Sequence, residues 1–98
     1  MIIELDKSNF NENIKEGLKI VVFSAKWCSY CKKQHETLKE LDDIWIGKVD
    51  GDKSPELTSE YGVMGFPTFI IFKDGKLINK FSGYRNKTEL MKILIKFI

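Results

Sequence analysis

Four consecutive apolar residues, Ile20-Val21-Val22-Phe23, constrain this chain more than any other feature. Successive side chains of a strand point to opposite faces, so a strand with one wet face alternates apolar and polar residues. A run without alternation buries both faces and belongs inside a sheet that has helices above and below. The flanking segments supply that cover. Ile2 to Leu5 is a short strand candidate, and Asp6, Ser8 and Asn9 offer caps for a helix running through about Glu16 to a stop at Gly17. The central strand spans Lys19 to Ala25. From Cys28 to about Asp42 the pattern is helical, with Leu38 and Leu41 on one apolar face.

Ile44 to Asp50 reads as a third strand, and Ser54-Pro55-Glu56 as a cap with a first-turn proline, opening a short helix that ends near Tyr61-Gly62. Asp74-Gly75 joins Thr68 to Lys73 and Leu77 to Phe81 in an antiparallel hairpin. Asn86 with Glu89 makes a capping box for a last helix whose Leu90, Ile93, Leu94, Phe97 and Ile98 share a face. The order β-α-β-α-β-α-β-β-α predicts an α/β fold, a mixed sheet of five strands between four helices, as one domain over residues 1–98.

Seven Phe, two Trp and three Tyr are enough to fill one modest core without disulfide staples. Sixteen basic residues balance fourteen acidic ones along the whole chain, so no electrostatic footprint for nucleic acid emerges. No apolar stretch approaches the roughly 18 residues of a membrane span. The amino terminus becomes acidic at Glu4 and shows no secretory pattern, so the cytoplasm is the expected compartment. Two cysteines in a reducing compartment point to catalysis or metal binding rather than to a structural bridge.

Their spacing, Cys28-Ser29-Tyr30-Cys31, sets them at the start of a helix that follows the buried strand. Unpaired amide N–H groups and the helix dipole favour thiolate there, which suits Cys28 as an attacking nucleophile. Cys31, one turn inward, is placed to resolve a mixed disulfide formed at Cys28. Zinc is the poorer reading, because the pair plus His35 supplies three ligands where a structural site takes four, so no metal is expected.

Trp27-Cys28-Ser29-Tyr30-Cys31-Lys32 after an apolar strand resembles the thioredoxin family. Lys48-Val49-Asp50, Tyr61-Gly62-Val63, Gly65-Phe66-Pro67-Thr68, Phe72-Lys73-Asp74-Gly75 and Gly83 continue the resemblance in the family's order and spacing. It implies a thioredoxin fold and a thiol-disulfide oxidoreductase that reduces protein disulfides without a bound cofactor. It further implies a cis peptide bond before Pro67, substrate pairing with the Phe66 backbone, and a substrate-binding rim of Trp27, Tyr30, Phe66, Pro67 and Gly83. A flavin-dependent thioredoxin reductase or another dithiol donor would reduce the pair, and oxidised client proteins would accept its electrons. A monomer is expected.

The chain departs from the family pattern in ways that bear on chemistry. Ser29-Tyr30 replaces the usual Gly-Pro, adding a hydroxyl and a backbone donor near Cys28. Stronger stabilisation of the reduced form makes a dithiol more oxidising, so a weaker reductant than a general thioredoxin is expected. Val22 stands where the family buries an aspartate that moves the Cys31 proton, while Lys48 keeps the place of that aspartate's lysine partner. A desolvated lysine favours its neutral form and is then able to take that proton; the bland alternative is a side chain that snorkels to water. His35, one turn after Cys31, is expected as a surface imidazole. Cys-Ser-Tyr-Cys also resembles the motif of some glutaredoxins, including ones that hold an iron–sulfur cluster with glutathione. Trp27, the extra amino-terminal strand and helix, and the spacing of Pro67 and Gly83 favour thioredoxin over that alternative.

Overall fold

The computed structural model describes residues 1–98. Strands β1 (Ile2–Leu5), β2 (Leu18–Ser24), β3 (Ile46–Asp50), β4 (Thr68–Lys73) and β5 (Lys76–Ser82) form one sheet in the order β1-β3-β2-β4-β5. Helices α1 (Phe10–Ile14), α2 (Ser29–Lys39), α3 (Pro55–Glu60) and α4 (Lys87–Leu94) complete the chain. β1 and β2 run parallel to β3, and β4 runs antiparallel to both β2 and β5, so the sheet is mixed.

The apolar run lies on the middle strand, and its two faces feed two cores. Val21 and Phe23 pack with Phe10, Ile14, Leu57 and Phe72 on the side of α1 and α3. Ile20 and Val22 pack with Leu38, Phe69, Leu90 and Leu94 on the side of α2 and α4. Burying a side chain of this size stabilises the fold by roughly 1.5–3 kcal/mol, which is why neither face of β2 tolerates a polar residue cheaply.

Local rules account for most boundaries. Asp74 and Gly75 both take positive φ, at 50° and 84°, as a two-residue hairpin turn of the tightest kind requires. The Asn86 side chain accepts from the Glu89 amide while the Glu89 carboxylate accepts from the Asn86 amide, completing the expected capping box. Pro55 occupies the first turn of α3 as expected, but the buried Ser54 makes no side-chain cap bond; its carbonyl instead accepts from the Thr58 hydroxyl.

Other boundaries move. α1 ends at Ile14 rather than near Glu16, and Asn9 caps no helical N–H, because its side chain binds the Asp6 amide and the Glu4 carbonyl. α2 ends at Lys39, three residues earlier than expected, and Leu41 is buried beyond its end. Ile98 lies outside α4 and is exposed, so the apolar face of that helix rests on Leu90 and Leu94. No helix is long and apolar enough to cross a membrane.

Candidate active site

β2 delivers the chain to the site. After Ser24 a short turn, closed by the Cys28 amide donating to the Ala25 carbonyl at 3.2 Å, leads into α2. Cys28 is the residue capping α2, with extended backbone, and its Sγ accepts from the Cys31 amide at 3.2 Å. One of the orphan N–H groups of the helix is therefore aimed at the sulfur, an arrangement that holds a charged acceptor better than a neutral one. Both cysteines are free and buried, packed with Ala25 against Phe66. Burial pushes the Cys31 thiol up to about 12; its hydrogen bond with Cys28 adds to this, and the Lys48 charge opposes it.

The cis bond that the resemblance implied is present beside the dithiol. The Phe66–Pro67 peptide bond is cis, and the Cys28 thiol faces the Phe66 carbonyl at 3.7 Å. The Gly83 amide donates to the Pro67 carbonyl at 2.9 Å, with Gly83 at φ 96°, a conformation that suits a residue without a side chain. Trp27 and Tyr30 are 71% and 62% exposed, so large apolar rings stand in water beside a buried dithiol. Trp27 meets Phe66 edge to face at 6.0 Å between centroids.

Four supporting residues carry little sequence signal. Asp52 accepts from the Trp27 indole N–H at 2.8 Å and fixes the ring that would otherwise swing free. Gly51 lies under Phe66, where an added Cβ would collide with Cε1 and Cζ of the ring. Gln34, almost wholly buried, grips the backbone of Arg85 twice, donating to its carbonyl at 3.0 Å and accepting from its amide at 2.8 Å. The helix carrying the cysteines is thereby tied to the loop carrying Gly83. Gln34 sits three residues after Cys31 on the buried face, which is the one hint the sequence holds; nothing in it pairs Asp52 with Trp27.

His35 is the fourth, and here the expectation of a surface imidazole is corrected. The ring is half-buried, and its Nδ1 lies 3.2 Å from Lys48 Nζ. Lys48 is half-buried too, and β2–β3 pairing sets it beside the wholly apolar Val22. The lysine is thus neither deeply buried nor left without a partner, and no carboxylate comes within ion-pair distance of it. Cys31, His35 and Lys48 line one open cleft of about 400 Å³ behind the dithiol. Ser29 is exposed and its hydroxyl makes no hydrogen bond, so the donor that reaches the Cys28 sulfur is the Cys31 amide and not the serine.

Comparison with known proteins agrees with this architecture. The Thioredoxin family model matches residues 1–96. Thioredoxin of Staphylococcus haemolyticus is 38% identical over 99% of this chain and 98% of its own length. Thioredoxins of Listeria monocytogenes and Chlamydia trachomatis are 34% and 37% identical, over 100% and 98% of each chain. A mixed sheet with the dithiol at the head of α2, a family match along nearly the whole length and relatives that it covers end to end lead to one conclusion: the chain belongs to the thioredoxin family of protein-disulfide oxidoreductases.

Proposed function

We propose that Cys28 is the attacking thiol, Cys31 the resolving thiol, and Trp27, Tyr30, Phe66, Pro67 and Gly83 the surface that receives an extended client segment. Cys28 thiolate attacks one sulfur of a client disulfide, and the other client sulfur leaves with the bonding electrons and picks up a proton. Cys31 loses its proton and attacks Cys28; the mixed disulfide breaks and the second client thiol is released. Two electrons have passed from the dithiol to the client, leaving Cys28 and Cys31 joined. Lys48 takes part in moving the Cys31 proton, in place of the acid that Val22 removes.

The observation that carries this reading is the Cys31 amide aimed at a Cys28 sulfur that also faces the Phe66 carbonyl. The Cys28 sulfur lies beside the Phe66 carbonyl and near two exposed aromatic rings, Trp27 and Tyr30, a combination that suits the binding of extended polypeptide. The reading takes residues 1–98 as one domain, acting as a monomer in the cytoplasm with no cofactor of its own. A flavin-dependent thioredoxin reductase is the donor it implies, and oxidised proteins are the acceptors.

Free-thiol release from a disulfide-linked protein, followed with either thioredoxin reductase or glutathione as donor, tests it. Turnover with the reductase, lost to background in Cys28→Ser, is the expected result. Turnover that survives in Cys28→Ser, or that requires glutathione, would replace it with a different nucleophile or with glutaredoxin chemistry.

A further inference from the structure

The resolving step has to take a proton from a thiol that burial holds well above its ordinary range. Val22 leaves no acid on β2 to receive it. What lines the cleft behind Cys31 is a hydrogen-bonded pair, Lys48 Nζ and His35 Nδ1 at 3.2 Å. His35 follows Cys31 by four residues on α2, so the two side chains share a face of the helix. With the lysine ammonium donating, Nδ1 is the acceptor and the neutral ring carries its hydrogen on Nε2.

We propose that Lys48 and His35 form a proton relay that carries the Cys31 proton out through this cleft, His35 being the group that receives from Lys48. The proposal rests on Cys31 as the resolving thiol and deepens the part given to Lys48. As the Cys31 sulfur bonds to the Cys28 sulfur, the Lys48 ammonium hands a proton to His35 Nδ1 and His35 releases the one on Nε2 to solvent. The free amine left on Lys48 takes the Cys31 proton through cleft water, and exchange with solvent returns the ring hydrogen to Nε2. The bond between Cys28 and the client sulfur breaks, and the departing client thiolate takes a proton from solvent. One proton leaves, one is taken up, and no charge accumulates.

The surroundings keep His35 ready to receive. Burial lowers its pKa below the ordinary imidazole value, and the Lys48 and Lys39 charges lower it further against Glu36 and Glu4. Glu4 faces the cleft from β1, Lys26 from the turn after β2, Lys32 and Glu36 from α2, and Asp50 from β3, so charges of both signs ring the pair. The imidazole is therefore neutral at neutral pH, and the relay weakens only as acid protonates it below its depressed pKa.

Rapid mixing of the reduced protein with 5,5′-dithiobis(2-nitrobenzoate) separates the two chemical steps, since one coloured thiolate is released when Cys28 attacks and a second when Cys31 resolves. His35→Ala is expected to slow the second release roughly tenfold near pH 7 and leave the first unchanged. Added imidazole restores the rate, and the deficit closes in alkali, where hydroxide takes the proton directly. His35→Gln, which still offers Lys48 an acceptor but cannot carry a proton, is expected to be as slow as His35→Ala. A wild-type rate in His35→Gln, failure of imidazole to rescue, or an equal loss in the first release would overturn the relay by showing a merely structural role. Lys48→Met separates this inference from the reading beneath it. A slow second release in Lys48→Met with a normal one in His35→Ala removes His35 and keeps Lys48, whereas wild-type behaviour in both removes the pair.

Discussion

Cys31→Ser is expected to stop the chain at its mixed disulfide. The Cys28 thiolate still attacks, because its position at the cap of α2 depends on the Cys31 backbone amide and not on the Cys31 side chain. Serine keeps that amide but offers a hydroxyl that neither ionises near neutral pH nor forms a disulfide, so the second exchange has no nucleophile. Turnover of a protein disulfide should fall by at least about 10³-fold. A covalent adduct of one chain with one client should accumulate and be visible on a non-reducing gel, then vanish on treatment with dithiothreitol. Cys28→Ser should lose turnover equally and form no adduct, since burial pushes the Cys31 thiol up to about 12 and keeps it protonated, a poor nucleophile at neutral pH. A stable adduct in Cys28→Ser with none in Cys31→Ser would reverse the two roles.

Phe69→Ala is expected to have the largest effect on stability. Phe69 is fully buried on β4, beside Val22 in the sheet, and its ring stacks on Phe81 with centroids 4.9 Å apart and 12° between planes. Truncation to alanine removes the aromatic pair and leaves a cavity that a sheet flanked by α2 and α4 cannot collapse to fill, a loss of about 3–5 kcal/mol. Against a total of about 5–15 kcal/mol for a domain of this size, that is roughly a fifth or more of the stability. Thermal unfolding followed by circular dichroism should show the midpoint roughly 15–30 °C lower. A drop of only a few degrees would mean that the core facing α2 and α4 repacks, and that the two cores described above are looser than their burial implies.

The parts of the fold governed by short-range rules were legible in the chain itself. Four residues without alternation identified the central strand, because only a doubly covered strand buries both faces. Asp74-Gly75 and the Asn86/Glu89 box form as read, since each is complete within four residues of sequence. Where competing partners existed, the local reading failed. Asn9 gives its side chain to the backbone of Glu4 and Asp6 instead of to α1, and Ser54 is buried rather than capping.

The site divides in the same way. Cys28 and Cys31 announce themselves by spacing after a buried strand, and the cis bond before Pro67 followed from the family resemblance. His35 was misplaced because the charged residues around it, Lys32, Lys33, Glu36 and Lys39, give α2 the look of a solvated face. Its position four residues from the buried Cys31 was the better guide. Gln34 with Arg85, and Trp27 with Asp52, are contacts between segments 51 and 25 residues apart, which no local pattern encodes. The Ser29 hydroxyl was credited with a contact to Cys28 that it does not make.

The equilibrium reduction potential of the Cys28 and Cys31 pair against glutathione, read by tryptophan fluorescence, tests most directly whether they form a reducing dithiol. Without a serine bond, the departure from Gly-Pro leaves a single amide donor on Cys28, so a potential modestly above the about −270 mV of thioredoxin and still within reach of the cytosolic glutathione poise is expected. A value near the about −120 mV of strong disulfide oxidants would contradict it, because a pair so poised takes electrons from client thiols instead of giving them to client disulfides.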